Sequence, residues 1–258
     1  MSFLKWNGID PVKEFIGFEN WFELLKDNIF RRALGNNFII VILSIAIQLP
    51  IGMALAVLLD SGGRKLNLFK TVYFFPMLMS SVAVGILFKY VYDPQFGIVT
   101  AFLNAVGLKR LVLNWLGEPG VALYSVIAVI CWQYIPFYMI YFLAAMTSIP
   151  GELFEAAWID GATRGQYFWQ IVLPLLKGTV RTAAILSLVG SLKYFDLIYV
   201  MTEGGPVNST ELMATYMYKN AFTTFRMGYG STVAMALFLV VMVTSILVFS
   251  ITKREERG

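Results

Sequence analysis

The sequence predicts an all-α integral membrane protein, a polytopic bundle of helices. Three observations carry that prediction. Of the 258 residues, 58% are hydrophobic and only 14% charged, whereas a soluble domain carries roughly 25% charge. The apolar residues gather into runs of about 20 or more, the length that a rise of 1.5 Å per residue needs to cross about 30 Å of hydrocarbon. Polar loops and helix breakers separate the runs, and the alternation that a transmembrane barrel would show is absent.

Taken in order, residues 1–37 form a polar N-terminal segment. It lacks the apolar stretch that a secretory leader carries. Five spans follow, at 38–59, 71–91, 121–147, 180–201 and 229–252. Asp60-Ser61-Gly62-Gly63 closes the first, with glycine available for a left-handed turn. Residues 92–120 contain Pro94, Gly97, Gly107 and Gly117 and read as a long external connection with a short helix near 97–106. Residues 148–178 form a loop on the opposite side, 203–228 a second large external loop, and 253–258 a tail.

Lysine and arginine set the orientation. Arg64, Lys65, Lys70, Arg164, Lys177, Arg181, Lys253, Arg254 and Arg257 fall on one side, nine in all, against four on the other: Lys109, Arg110, Lys219 and Arg226. That majority places the 148–178 loop and the C-terminus in the cytoplasm. The N-terminal segment runs against the trend, because Lys5, Lys13, Lys26, Arg31 and Arg32 lie on the external side. A preceding membrane helix would account for this, so the expectation is a chain that starts late.

Several classes of chemistry find no support. There is no histidine and one cysteine, Cys131, inside an apolar run. No intrachain disulfide can form, and a main metal ligand and the commonest general base are missing. No metal site and no nucleophile–base set is visible. No GxxxxGK[ST] phosphate loop is present, so the chain is not an ATPase. The net charge of +4 is scattered and does not mark a nucleic-acid surface.

The cytoplasmic loop has its own local logic. Pro150 suits the first turn of a helix, and Glu152 and Glu155 lie near its positive end. Leu153, Ala156, Ala157 and Ile159 supply an apolar side that includes small residues. Gly161 permits a sharp change of direction. A second helical piece follows with Phe168 and Ile171 apolar, and Pro174 marks the entrance to the next span. From the residues alone, this helix–bend–helix is either an interfacial anchor or a docking surface for another subunit.

Two polar groups stand inside the spans. Ser187, Gly190, Ser191 and Tyr194 recur at spacings of three and four and predict one uncrowded stripe. Trp132, Gln133, Tyr134 and Phe137 surround Pro136. Aromatic faces and hydrogen-bonding groups suit a sugar, but the same residues suit a helix contact and an interfacial belt. Pro136 and Gly190 are candidate helix breaks. Lys193 and Asp196 are three apart, project from neighbouring helix positions, and would be a candidate relay in an ion-driven transporter. Lys89, near the end of its span, is read as snorkelling.

Two stretches resemble a known family. Glu155-Ala156-Ala157, Asp160-Gly161-Ala162, Phe168 and Ile171-x-Leu173-Pro174 resemble the EAA coupling loop of ABC importer permeases. Asp196-Leu197-Ile198-Tyr199 through Thr202-Glu203-Gly204-Gly205-Pro206 resembles the signature of carbohydrate permeases of the maltose/glycerol-3-phosphate type. The resemblance covers residues 3–258. It implies a type I importer permease, a fold that usually has six spans, so that the first is absent here. It implies that Glu155, Ala156, Ala157, Asp160, Gly161, Ala162, Phe168, Ile171 and Pro174 dock onto an ATP-binding subunit. It further implies that the helices carrying Trp132 and Ser187–Tyr194 line the path, with Asp196 at its edge. The partners implied are a second permease, two ATPase subunits that hold ATP and Mg, and an external solute-binding protein. The implied cargo is a carbohydrate, with membrane lipid around the bundle, no cofactor on this chain and no nucleic acid. An ion-gradient-driven secondary transporter remains the alternative.

Overall fold

The structure, a computed structural model, describes residues 1–60 and 67–255. Arg64, Lys65, Arg257 and the Ser61-Gly62-Gly63 turn lie outside them, as do the side chains of Lys253 and Arg254.

A short hairpin, β1 (Leu4–Lys5) with β2 (Glu14–Phe15), opens the chain. It leads into α1 (Glu19–Lys26) and then α2 (Asn28–Asp60), which begins ten residues before the expected span at 38. The bundle continues with α3 (Asn67–Leu78), α4 (Ser81–Val91), α5 (Ile98–Ala105), α6 (Ala122–Met146), α7 (Gly151–Ile159) and α8 (Arg164–Leu175). It closes with α9 (Lys177–Leu192), α10 (Asp196–Thr202), α11 (Met213–Tyr218) and α12 (Met227–Glu255).

α6 is the central post. Fifteen of its 25 residues are buried, so it is apolar all round rather than on one stripe. Its main partner is α2. A Cβ at Gly52 would stand 2.8 Å from the Cβ of Tyr138 and 3.0 Å from the Met139 nitrogen, so glycine is what lets these two backbones approach. Gly85 does the same for α4 against Val200 of α10. α12 is the most peripheral of the long apolar helices, with Phe238, Ile246 and Phe249 exposed.

Two expected spans are not single helices. The 71–91 run is broken at Met79-Ser80, where α3 and α4 meet at 96°. The 180–201 run ends as a helix at Leu192; Lys193 to Phe195 are not helical, and α10 starts afresh at Asp196. At its other end α9 meets α8 at 67° around Leu176. The expected breaks lie elsewhere: Pro136 sits inside an unbroken α6, and Gly190 inside α9. Hydropathy averaged over a span does not distinguish these cases, because each break falls inside an otherwise apolar run.

Buried amides serve the broken segments. Gln133 donates from Nε2 to the Met79 carbonyl at 3.3 Å. Asn37, fully buried, donates to the Leu192 carbonyl at 3.1 Å and accepts from the Met213 N–H at 3.0 Å. Asn36 donates to the carbonyls of Ser209 and Glu211, both at 2.9 Å. Each bond supplies a partner to a backbone group that has left a helical ladder, a saving of several kcal/mol where water is excluded.

The end of the bundle where α2 begins is a polar block. Asp27 caps α2 by accepting from the Ile29 and Phe30 N–H groups, and it also accepts from the hydroxyls of Tyr216 and Tyr229. Burial works to raise this carboxyl, but the bonds from Tyr216, Tyr229 and the two amides outweigh it and hold it below its ordinary value of 3.8. Burial, reinforced by the bond to Asp27, pushes the Tyr216 hydroxyl up to about 12, so it remains a donor at neutral pH. Arg226 pairs with both oxygens of Glu23 at 2.7 Å.

Two outcomes test this frame. A group whose folded pKa is lowered stabilises fully above its unfolded pKa and loses that contribution as pH falls through the folded value. The thermal stability of the detergent-solubilised protein should therefore fall as pH drops below about 3.8, and Asp27→Asn should flatten that dependence. Gly52→Val should cost about 1–3 kcal/mol by overpacking α2 against α6, read as a lower melting temperature at neutral pH.

Candidate functional site

The loop between α6 and α8 forms a bent finger at the end of the bundle where α2 terminates. Pro150 caps α7, and Glu152 sits in its first turn. Glu155 lies in the middle of α7 rather than at its positive end, and it is exposed with Ala156. Ala157 is the one buried residue of the helix; Leu153, Trp158 and Ile159 are exposed, Ile159 at 85%. The predicted apolar side is therefore split, with only Ala157 turned inward.

The bend is built from backbone and rings. Asp160 ends α7, and Gly161 follows at φ +76°, a left-handed conformation that strains any residue with a Cβ. No atom lies within 4 Å of where a Gly161 Cβ would stand, so glycine is needed there for its dihedral angle, not for space. Ala162 donates its N–H to the Ala157 carbonyl at 2.9 Å and closes the turn. Thr163 then opens α8 with a capping box: its hydroxyl accepts from the Gln166 N–H at 3.3 Å, and the Gln166 side chain accepts from the Thr163 N–H at 2.8 Å. Phe154 stacks on Trp158 at 5.8 Å and meets Tyr167 edge-on at 5.3 Å, so α7 and α8 are pinned across the bend.

Past the pin, α8 loosens. Phe168 to Val172, including Ile171, form a π-helical turn, and Pro174 lies just before the 67° bend at Leu176. Phe168 is half-buried and Trp169 is 67% exposed. A cavity of about 490 Å³ separates the finger from the end of α2, lined among others by Val57, Asp60, Ile149, Phe154, Arg164 and Tyr167. The pattern Thr-x-x-Gln at residues 163–166 is the sequence signal for this cap.

The interior residues converge less than their spacing suggests. Trp132, Gln133 and Tyr134 point to three neighbours. Trp132 packs edge-on against Phe88 of α4 at 5.1 Å, Gln133 turns to Met79, and Tyr134 meets Tyr194 at 5.8 Å. Phe137 stacks with Tyr141, one turn further along the Tyr134 side of α6. The Ser187–Tyr194 stripe divides as well: Ser187 and Ser191 are buried, while Gly190 is exposed with open space beyond it. Lys193 caps α9 and Asp196 opens α10, on opposite sides of the break, so they are not neighbours on one helix. Among the described residues they form no ion pair with each other. The structure brings Tyr134 and Tyr194 into contact, with Phe137 three residues on along α6; Trp132 packs on α4 and Gln133 reaches the α3–α4 break.

The Gly204-Gly205-Pro206 segment is architectural. Glu203 and Gly204 both take left-handed angles, and Gly205-Pro206 is cis. Thr210 donates to the Gly205 carbonyl at 2.7 Å and bonds the Thr202 hydroxyl at 2.8 Å. Glu211, fully buried, pairs with Lys219, accepts from Thr215 and packs against Gly204, where a side chain would displace it. Arg32 of α2 donates to the Val207 carbonyl at 2.8 Å.

With this geometry in place, comparison with known proteins identifies the chain's family. Residues 48–256 match the family described as the inner membrane component of binding-protein-dependent transport systems, and the chain belongs to it. It is 36% identical over 260 residues to the probable ABC transporter permease protein YurN of Bacillus subtilis, covering 99% of this chain and 89% of that one. It is 32% identical over 255 residues to the multiple sugar-binding transport system permease protein MsmF of Streptococcus mutans, covering 99% and 87%. Its fold is similar to that of a chain in the crystal structure of a bacterial ABC transporter involved in the import of the acidic polysaccharide alginate. There the TM-score is 0.85 at 25% identity, over 93% of this chain and 84% of that one. The MetNI methionine ABC transporter shares the fold with a TM-score of 0.61 at 18% identity, over 92% and 98%. The chain is thus a non-catalytic, multi-pass membrane subunit of a binding-protein-dependent importer, and the ATPase is a separate subunit.

Thr163→Ala removes the hydroxyl half of the capping box and should cost about 1 kcal/mol locally. Hydrogen exchange of residues 163–167 should accelerate while the amides of α6 keep their protection.

Proposed function

We propose that this chain provides half of a carbohydrate pathway across an inner membrane and that the α7–Gly161–α8 finger is its drive shaft. The sugar assignment draws on relatives such as MsmF and on the aromatic set Tyr134, Phe137 and Tyr194. In this reading a second, related permease completes the pathway, an external solute-binding protein delivers the sugar, and two ATPase subunits below hold ATP and Mg. The finger and the C-terminus are cytoplasmic, and Glu155, Ala156, Ala157, Asp160, Gly161 and Ala162 seat in the ATPase.

The observation that carries the proposal is mechanical. A finger pinned by Phe154 against Tyr167 moves as one body, and it joins the bundle through a π turn and a 67° bend. Closing the ATPase dimer moves the exposed tip, and the joint around Phe168–Leu176 passes that displacement to α9. The cavity beside Asp60 leaves the finger room to travel. The relay reading of Lys193 and Asp196 loses its basis, since the two fall on separate helices.

Gly161→Pro tests it. Proline fixes φ near −65°, incompatible with +76°, so the finger should be misdirected while the spans insert normally. ATP-coupled sugar uptake by the reconstituted importer should fall at least about tenfold, the scale of an ordinary coupling energy, with the receptor still binding. Glu155→Lys, on the exposed face of α7, should act in the same direction. Normal uptake in both variants would overturn the coupling role.

A further inference from the structure

An aromatic cluster outside the expected path stands at the external end of α9. Phe195 and Tyr199 stack at 5.0 Å with their planes 15° apart. Tyr218 of α11 meets Phe195 at 5.3 Å and Tyr199 at 5.2 Å, both edge-on. Phe222, in the π turn that follows α11, meets Tyr218 at 5.2 Å and is 55% exposed. Four rings from two separate segments are therefore held as one surface on the external side.

Its setting argues against a role in packing or in a lipid belt. The faces of α10 that pack inward are Leu197, Ile198 and Met201, all buried against the core, whereas Phe195, Tyr199 and Tyr218 are only half-covered. Asp196 lies beside Phe195 and is exposed, and a carboxylate is costly on a lipid-facing surface. The rings are also held in place from behind. Tyr218 is carried by α11, whose first N–H is bonded to Asn37 and whose continuation is tied by the Lys219–Glu211 ion pair. Preorganised rings followed in the chain by an exposed carboxylate suit a sugar: C–H faces stack on the rings, and hydroxyls donate to a carboxylate.

The cluster is continuous with the interior. Phe195 follows Tyr194, which contacts Tyr134. From Tyr134 the rings go on to Phe137 and Tyr141 at three- and four-residue steps on α6, about 4.5 and 6 Å of rise. We infer that Phe195, Tyr199, Tyr218 and Phe222, with Asp196, form an external receiving site for a neutral oligosaccharide, from which the leading sugar unit passes to Tyr194 and Tyr134. The inference rests on the carbohydrate pathway proposed above and adds to it a first station outside the membrane and a preference for chains over single sugars.

The test uses the assembled importer in lipid nanodiscs without its receptor. Probes are the xylose and β-1,4-glucose oligosaccharides from the disaccharide to the hexasaccharide, with the corresponding monosaccharides as controls. Saturation-transfer NMR should show contact at sugar C–H protons that strengthens with chain length. Tyr199→Leu with Tyr218→Leu keeps apolar volume but removes the flat faces, and should weaken binding about tenfold, the scale of losing an aromatic contact. Asp196→Asn should weaken it less. The inference is overturned if no probe binds the unsubstituted importer, if monosaccharides bind as well as chains, or if the double variant binds unchanged. ATP hydrolysis stimulated by the loaded receptor separates the two levels. If it persists while receptor-free sugar binding is absent, only the receiving site fails. If the unsubstituted complex shows neither, the importer reading fails with it.

Discussion

Everything in this fold answers to one constraint: inside a bilayer, each backbone N–H and C=O must find a partner within the protein. Continuous helices such as α6 meet it by themselves. The broken segments do not, and this chain breaks its spans at Met79-Ser80 and Lys193–Phe195. The solution is to bring a side-chain amide to the break. Gln133 reaches the Met79 carbonyl, and Asn37 spans the Leu192 carbonyl and the Met213 N–H. An amide suits this work because it donates and accepts at once and carries no charge. The sites of the breaks are then set by where α2 and α6 present an Asn or a Gln, which makes those two helices the frame and the broken segments the attachments.

That division leaves α9 as a bar with a joint at either end. Below it are the bend at Leu176 and the π turn of Phe168–Val172; above it are the three non-helical residues before Asp196. The blocks beyond the joints are rigid for different reasons. The block beyond α10 is tied by Asp27, Glu211 and the bonds of Thr210, the α7–α8 finger by a capping box and aromatic contacts. Stiff blocks joined by short soft segments convert a displacement at one end into a tilt of the bar, whereas a uniformly pliant chain would absorb it.

The sequence made the membrane class, the long apolar runs and the Gly161 bend legible because each is a local property: hydropathy, run length and one residue's dihedral freedom. The breaks were not legible. Leu192-Lys193-Tyr194-Phe195 reads as part of an apolar run, and only the distant Asn37 reveals that the helix stops there. Asn36 and Asn37 did leave a trace, two amides at the mouth of an apolar run, but they fell at the boundary assigned to the polar N-terminal segment. Gln133 stands in mid-span, and composition does not show that its Nε2 reaches a carbonyl at the α3–α4 break. The same holds for the Ser187–Tyr194 stripe. Spacing places residues on a face but does not say whether that face looks inward, and here Ser187 and Ser191 do while Gly190 does not.

Glycine shows why one residue type carries two unrelated messages. At Gly52 the φ angle is ordinary and the neighbour is the obstacle, a backbone 3.0 Å from the missing Cβ. At Gly161 the surroundings are empty and the dihedral angle is the obstacle. The first kind belongs to the frame, where close approach of α2 and α6 holds the bundle shut against lipid. The second belongs to the finger, where under the proposed coupling free space around the bend is as necessary as the bend itself, because a tip packed against its own bundle would have no surface left to offer a partner. Fixing the frame by contact and the finger by backbone angle lets the same chain be dense where it must resist force and open where it must receive it.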